Sequence, residues 1–177
     1  FFDNARAEKR NLMGELNKGW TVAKRLLQHE RTLMSEISEL SVGPKFTPAE
    51  TARRYLPMEN GRIANGGLRD ELVRYDMDAM ALNLAKIKAF EEGKQGKLDP
   101  TSTSFFKYYA TELDQRRGEL KLALMGSQAL GWEGESFNRD ELMEARAWAH
   151  SKVLTIAGGS SEIQLNVIAK RVLQLPE

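Results

Sequence analysis

No cysteine occurs among the 177 residues, which excludes disulfides, thiolate nucleophiles and Cys-ligated zinc together and fits a reducing cytoplasm. Histidine is nearly absent as well. The only two, His29 and His150, have no acid three residues before them, so the Glu-x-x-His pairs of di-iron bundles are missing and no metal site is expected. No apolar run reaches the roughly 18 residues of a membrane span, and the N-terminus lacks the basic-then-apolar order of a signal peptide. A soluble, cytoplasmic chain is the expectation. Charge of one sign is lacking too: 26 Lys and Arg nearly cancel 25 Asp and Glu. Without a global field to draw in nucleic acid or anionic lipid, any anionic ligand must be held locally. No Gly-rich phosphate loop of the P-loop kind occurs.

What remains is helix. Apolar positions spaced by three and four predict a first long helix from Gly19 to about Leu40, with Asn17 as its N-cap, and a second carrying Leu68, Leu72, Tyr75, Ala79, Leu82 and Phe90. A third, from about Ser102 to Met125, turns Phe106, Tyr109, Leu113, Leu120 and Leu124 inward and Lys107, Glu112, Gln115 and Glu119 outward. Between the first two, Pro44, Pro48 and Pro57 break the periodicity and leave one short helix, Pro48 to Tyr55, ended by Asn65-Gly66-Gly67. Gly126 to Phe137 reads as loop. Asn138 with Glu141 opens a shorter helix reaching about Thr155, and Ser161 with Gln164 repeats that cap pattern before a last helix carrying Ile163, Val167, Ile168 and Val172. Only Phe1 and Phe2, closed by Asp3-Asn4, suggest a strand, the last of a preceding sheet. Short connections make neighbours antiparallel, so the expected fold is all-α, an up-and-down four-helix bundle with extra short helices.

Two features carry chemistry. On the stripe Trp20, Ala23, Leu27, Met34 and Ile37, the carboxylate of Glu30 falls in line with apolar neighbours. Buried, ionised and unpaired, it would cost roughly several kcal/mol, so it needs a partner cation, a cavity, or a use as a poised base. The second feature is the turn Gly158-Gly159-Ser160-Ser161-Glu162, where glycines allow close backbone approach and hydroxyls and N–H groups meet a helix start. An ordinary capped interhelix turn has the same composition.

The stretch TIAGGSSEIQLNVIAKRVLQLPE, from Thr155 to the end, resembles the C-terminal signature of acyl-CoA dehydrogenases, and GELNKGWTVAKRLLQHER resembles the opening of that family's C-terminal helical domain. FFDNARAEKRNLMGE is similar to the hand-over from the family's middle β-domain. The resemblance implies that residues 1–16 end a preceding β-domain and its linker, and that 17–177 form the helical-bundle C-terminal domain. It further implies a flavoprotein that takes hydrogens from Cα and Cβ of an acyl-CoA thioester, with FAD receiving the hydride and an electron-transfer flavoprotein or similar acceptor taking the electrons onward.

In much of the family the base is a Glu in the loop before the last helix, and the matching position here is Gly158. In the isovaleryl- and long-chain-like branch it sits on the first long helix in a Leu-x-x-Glu-Arg context, which Leu27-Gln28-His29-Glu30-Arg31 matches. The resemblance therefore implies Glu30 as catalytic base, with Arg31 beside it and Gly158 on the substrate side. It places Gly159, Ser160 and Glu162 at the flavin and Gly126 at the adenosine part of FAD from a neighbouring subunit, in a homodimer or homotetramer. The family's Arg-x-x-Phe-Gly flavin motif is missing between Ser41 and Arg74. That departure leaves a second expectation standing, a catalytically inactive helical assembly or flavin-binding subunit of the same fold.

Overall fold

The computed structural model describes residues 1–37, 46–97 and 102–176, the side chains of 28 and 31–37 lying outside that description. Helix α1 (Gly19–Ile37) is followed by α2 (Pro48–Tyr55), whose start and length the prolines specify. Thr47 accepts from the Glu50 N–H at 3.2 Å while Glu50 accepts from the Thr47 N–H at 2.7 Å, and Pro48 fills the first helical position, where its missing N–H loses nothing.

Strands β1 (Met58–Glu59) and β2 (Arg62–Ile63) then form a two-residue-per-strand antiparallel hairpin, pairing Met58 with Ile63 and Glu59 with Arg62. Its turn, Asn60-Gly61, has both residues at positive φ, the hairpin geometry that this dipeptide favours. The expectation that nothing but the first residues reads as a strand thus needs correcting at both ends. Phe1 and Phe2 lie exposed outside any strand, since a strand needs a hydrogen-bonding neighbour and the described chain offers none there.

Helix α3 (Gly66–Lys94) is capped by Asn65, which accepts from the Leu68 N–H at 3.1 Å, so Gly66 and Gly67 begin this helix and do not close the preceding segment. Helix α4 (Ser102–Met125) runs back, and a 3-10 turn at Gly126–Leu130 occupies part of the expected loop. Helix α5 (Arg139–Leu154) opens on the expected Asn138 and Glu141 capping box. Helix α6 (Ser161–Val167) passes into a single π-helical turn at Ile168–Val172.

The architecture is all-α, an up-and-down bundle of four principal helices, α1, α3, α4 and α5, with short additions. Helix α4 is its axis, packing against α1, α2, α3, α5 and α6. Ala52, Ile63, Leu72, Tyr75, Leu82, Ala110, Leu113, Leu120 and Leu124 form one buried cluster around it. Gly118 lets α5 approach α4 closely: a Cβ there would sit 3.1 Å from Trp148 Cδ1. Among the described residues, no helix is long and apolar enough to cross a membrane.

Two expectations about faces and one about a cap are overturned. Lys107 is turned inward and 0% exposed, because α4 is buried on two seams and Lys107 falls on the second. That seam, Ser104, Lys107, Thr111, Asp114, Gly118 and Lys121, repeats at three and four residues. Phe90 is exposed, since α3 outruns the helix it packs against. Asn17 is no N-cap: its φ of +66° belongs to a left-handed turn, whereas a cap residue needs extended backbone, and the helix begins two residues later.

Candidate functional site

Glu30 lies half-buried on α1, which rests on α4. The apolar stripe around it does not face the core as its periodicity predicts, for Trp20 is 70% and Leu27 38% exposed and Leu26 is exposed beside them. Helix α1 has α4 as its main neighbour among the described residues, and Trp20, Leu26 and Leu27 stay exposed there. The Arg31, Met34 and Ile37 side chains lie outside the described residues.

The second feature is a knot in the turn between α5 and α6, held against α4. Gly158 (φ +70°) and Gly159 (φ +98°) occupy consecutive left-handed positions, which β-carbons would strain. At Gly159 a Cβ would also fall 2.7 Å from Gln164 Nε2. The turn is closed by the Ser161 N–H donating to the Thr155 carbonyl at 3.0 Å and the Gln164 N–H to the Ser160 carbonyl at 3.0 Å.

Beneath the turn are two buried donors. Lys107 Nζ donates to the Gly159 carbonyl at 2.7 Å, and Gln164 Nε2 to the Gly158 carbonyl at 3.1 Å and the Gly159 carbonyl at 3.3 Å. Gln164 is 1% exposed and its Oε1 has no partner among the described residues. Burial pushes the Lys107 ammonium below its usual range, opposed by the charges of Glu112 and Glu162.

The expected Ser161 and Gln164 cap does not form. The residue before α6 is Ser160, whose hydroxyl binds the Glu162 carboxylate and, with the Glu162 N–H, holds it below the usual carboxylate range. Ser161 Oγ donates instead to Glu112 Oε1 at 2.7 Å, tying α6 to α4, and Gln164 is spent on the glycine carbonyls.

Glu112 also lines a cleft of about 330 Å³ between α3 and α4, with Asp78, Tyr109, Leu113, Gln115, Arg116 and Glu119. Its polar groups are engaged: Arg116 pairs with Asp78 at 2.5 Å, and Lys152 bridges Gln115 and Glu119 at 2.8 and 2.7 Å. Burial and the neighbouring Asp78 raise the Tyr109 hydroxyl above its usual range.

The structure thus brings Gly158, Gly159, Ser160 and Glu162 together, and α1 and α6 both lean on α4. Gly126 lies apart, at the far end of α4, exposed at φ +59° with open space where a Cβ would be. Among the described residues no cluster of three or more acids and histidines could hold a metal ion. Lys107 and Glu112, which complete the knot, were read from the sequence as solvated; the regular recurrence of Ser104, Lys107, Thr111, Asp114, Gly118 and Lys121 was the signal that could have found them.

Residues 17–173 match the family described as acyl-CoA dehydrogenase, C-terminal domain. Acyl-CoA dehydrogenase IpdE1 of Mycolicibacterium smegmatis is 29% identical over 176 residues, covering 99% of this chain and 42% of that protein. The mitochondrial long-chain specific acyl-CoA dehydrogenase of Rattus norvegicus is 25% identical over 178 residues, covering 98% and 39%. A crystal structure of an acyl-CoA dehydrogenase from Geobacillus kaustophilus shares the fold with a TM-score of 0.71 at 21% identity, covering 97% of this chain and 43% of that one. The chain spans about two fifths of the length of these relatives.

Proposed function

The chain belongs to the acyl-CoA dehydrogenase family, as its C-terminal domain, and from that premise we propose that it serves an FAD-dependent dehydrogenase in which Glu30 removes the α-proton of an acyl-CoA thioester. The observation that carries this is the pairing of a half-buried carboxylate at Glu30 with its absence at Gly158, the two positions where the family resemblance calls for a base. Residues 1–16 are then the end of a preceding β-domain and its linker, and 17–177 the helical domain, working in the cytoplasm.

The turn fits a flavin. Gly159 must be bare backbone, and the Gly158 and Gly159 carbonyls are already engaged from beneath, which leaves peptide N–H groups for ring oxygens. Gly159 and Ser160 would hold the ring, Glu162 would accept from a ring N–H, and Gly126 would offer open backbone to the adenosine part from a neighbouring subunit. FAD held there would supply the acceptor for the hydride from Cβ. Glu30 takes and holds the α-proton at its carboxylate, and the proton acceptor's half-burial on α1 keeps it from being fully solvated. Arg31 follows the base in sequence, and Gly158, buried in the turn, would stand on the substrate side where other members carry a carboxylate. An electron-transfer flavoprotein or similar acceptor would take the electrons onward.

A homodimer or homotetramer is supported by α3, where Val73, Met77, Met80, Leu84 and Ile87 form an exposed apolar stripe spaced four, three, four and three residues. The absent Arg-x-x-Phe-Gly motif favours a second reading, an inactive flavin-binding or assembly subunit.

Glu30→Gln in the intact protein separates them. It keeps shape and most hydrogen bonds, so melting temperature and bound flavin should persist while the rate of flavin reduction by acyl-CoA falls about 10²-fold or more. If Glu30 merely neutralises a buried cation, the same change costs about 3–5 kcal/mol of stability and activity is lost only by unfolding. A stable yellow variant reducing at the unmodified rate would remove Glu30 from the mechanism.

A further inference from the structure

Among the buried charges that the catalytic reading leaves unused, Lys107 stands apart. Lys107 is 0% exposed, yet its ammonium is given a neutral carbonyl, that of Gly159, and no carboxylate among the described residues comes within ion-pair distance of it. A methionine would fill the same space without withdrawing a charge from water, so stability alone is a poor reason for lysine here.

Its position suggests the reason. All peptide bonds here are trans, and a planar trans peptide sets each N–H antiparallel to the preceding C=O. Drawing the Gly158 and Gly159 carbonyls down onto Gln164 Nε2 and Lys107 Nζ therefore turns the Gly159 and Ser160 N–H groups the opposite way, and neither donates to a backbone carbonyl among the described residues. We infer that Lys107, with Gln164, is a positioning residue, a buried pair of donors that locks the two left-handed glycines so their amides face an oxygen acceptor of the bound ligand. The inference deepens the reading above and rests on it for the identity of that ligand. The electrostatics agree in direction, since Glu112 and Glu162 oppose the burial that pushes the Lys107 ammonium below its usual range, and Glu112 also accepts from Ser161 of the turn.

Lys107→Met in the intact protein tests this. Melting temperature should hold or rise, because a desolvated charge is removed. Amide exchange at Ser161 and Gln164, whose N–H groups close the turn, should accelerate about tenfold as local opening becomes easier. The kcat should fall about tenfold with KM less affected, as for misplacement of a preorganised donor. Lys107→Ala, which leaves a space shaped for the lost amine, should recover part of kcat with added n-propylammonium. Unchanged exchange at Ser161 and Gln164 in a folded Lys107→Met protein would overturn the inference, and so would acceleration matched by an equal loss of global stability. The exchange measurement needs no turnover: accelerated exchange beside a fully active Glu30→Gln variant would sink the base assignment and leave the positioning role standing.

Discussion

The buried ion pair between Lys121 on α4 and Glu144 on α5 should show its energy only when one partner is removed, and then in a pH-dependent way. The two side chains are 5% and 10% exposed, and burial raises the Glu144 carboxyl above its ordinary 4.5, with Lys121 the main opposing influence. Lys121→Met strands the carboxylate, which then has two choices: stay ionised in a poor environment, or take a proton. Protonating a carboxyl of ordinary value 4.5 at pH 7 costs about 3.4 kcal/mol, at 1.36 kcal/mol per unit, and this caps the electrostatic penalty because the group takes the cheaper route. With about 1 kcal/mol for the lost hydrogen bond, Lys121→Met should cost up to about 4.4 kcal/mol at pH 7.

The sign follows from linkage. In the variant the native state binds the proton more tightly than the unfolded state, so stability falls as pH rises above about 4.5 and is regained as pH drops. From pH 7 to pH 5 the penalty should shrink by about 2.7 kcal/mol. Removing both charges, Lys121→Met with Glu144→Leu, should return stability to within about 1.5 kcal/mol of the parent, since no buried charge is left over. Urea unfolding of the intact protein at pH 5 and pH 7, followed through this domain's tryptophans, measures all three. A Lys121→Met penalty independent of pH, or a double variant as weak as the single one, would refute the argument.

Other expectations follow from single positions. Gly159→Ala meets both positive φ and the Gln164 amide at 2.7 Å, so it should cost about 1–3 kcal/mol and lower flavin retention; an unchanged melt would show that the turn is less constrained than its dihedrals say. Gly158→Glu should fill the space beside the acyl Cα and move preference toward straight chains, at a strain of about 1–2 kcal/mol from φ +70°, read by kcat/KM across branched and straight acyl-CoAs; an unaltered ranking would rule out the roomier pocket. Leu84→Lys in the centre of the α3 stripe should shift sedimentation toward smaller species without lowering helicity, and unchanged assembly would exclude that face as the interface.

Much of this was legible because the local signals agree with one another. Pro48 with Thr47 and Glu50 defines α2 to the residue, and Asn138 with Glu141 does the same for the start of α5. Asn60-Gly61 was equally legible as a hairpin turn, but three surrounding prolines drew the reading toward irregular chain. The knot at Gly158 and Gly159 was only half visible. Its glycines announce unusual backbone, whereas the donors that fix it arrive from α4 and from within α6, and a cap motif at Ser161 and Gln164 offered a simpler local explanation. Gln164 can satisfy either pattern; tertiary contacts chose the glycine carbonyls.

The face errors share one cause. Apolar periodicity says that a stripe will be covered, not what covers it. On α4, surrounded by five elements, even the polar seam through Lys107, Thr111 and Lys121 is buried, so polarity there marks a network and not solvent. On α1 and α3 the reverse holds: Trp20, Leu26 and Leu27, and the run from Val73 to Ile87, have regular helical spacing yet stay open on this chain. Glu30 lies half-buried on the first of these helices, beside exposed Leu26 and Leu27. The carboxylate that looked misplaced in a core stripe is therefore not a core residue: it stands half-buried on α1, and under the proposed reading a second surface would close over it to give the dry environment that general-base catalysis requires.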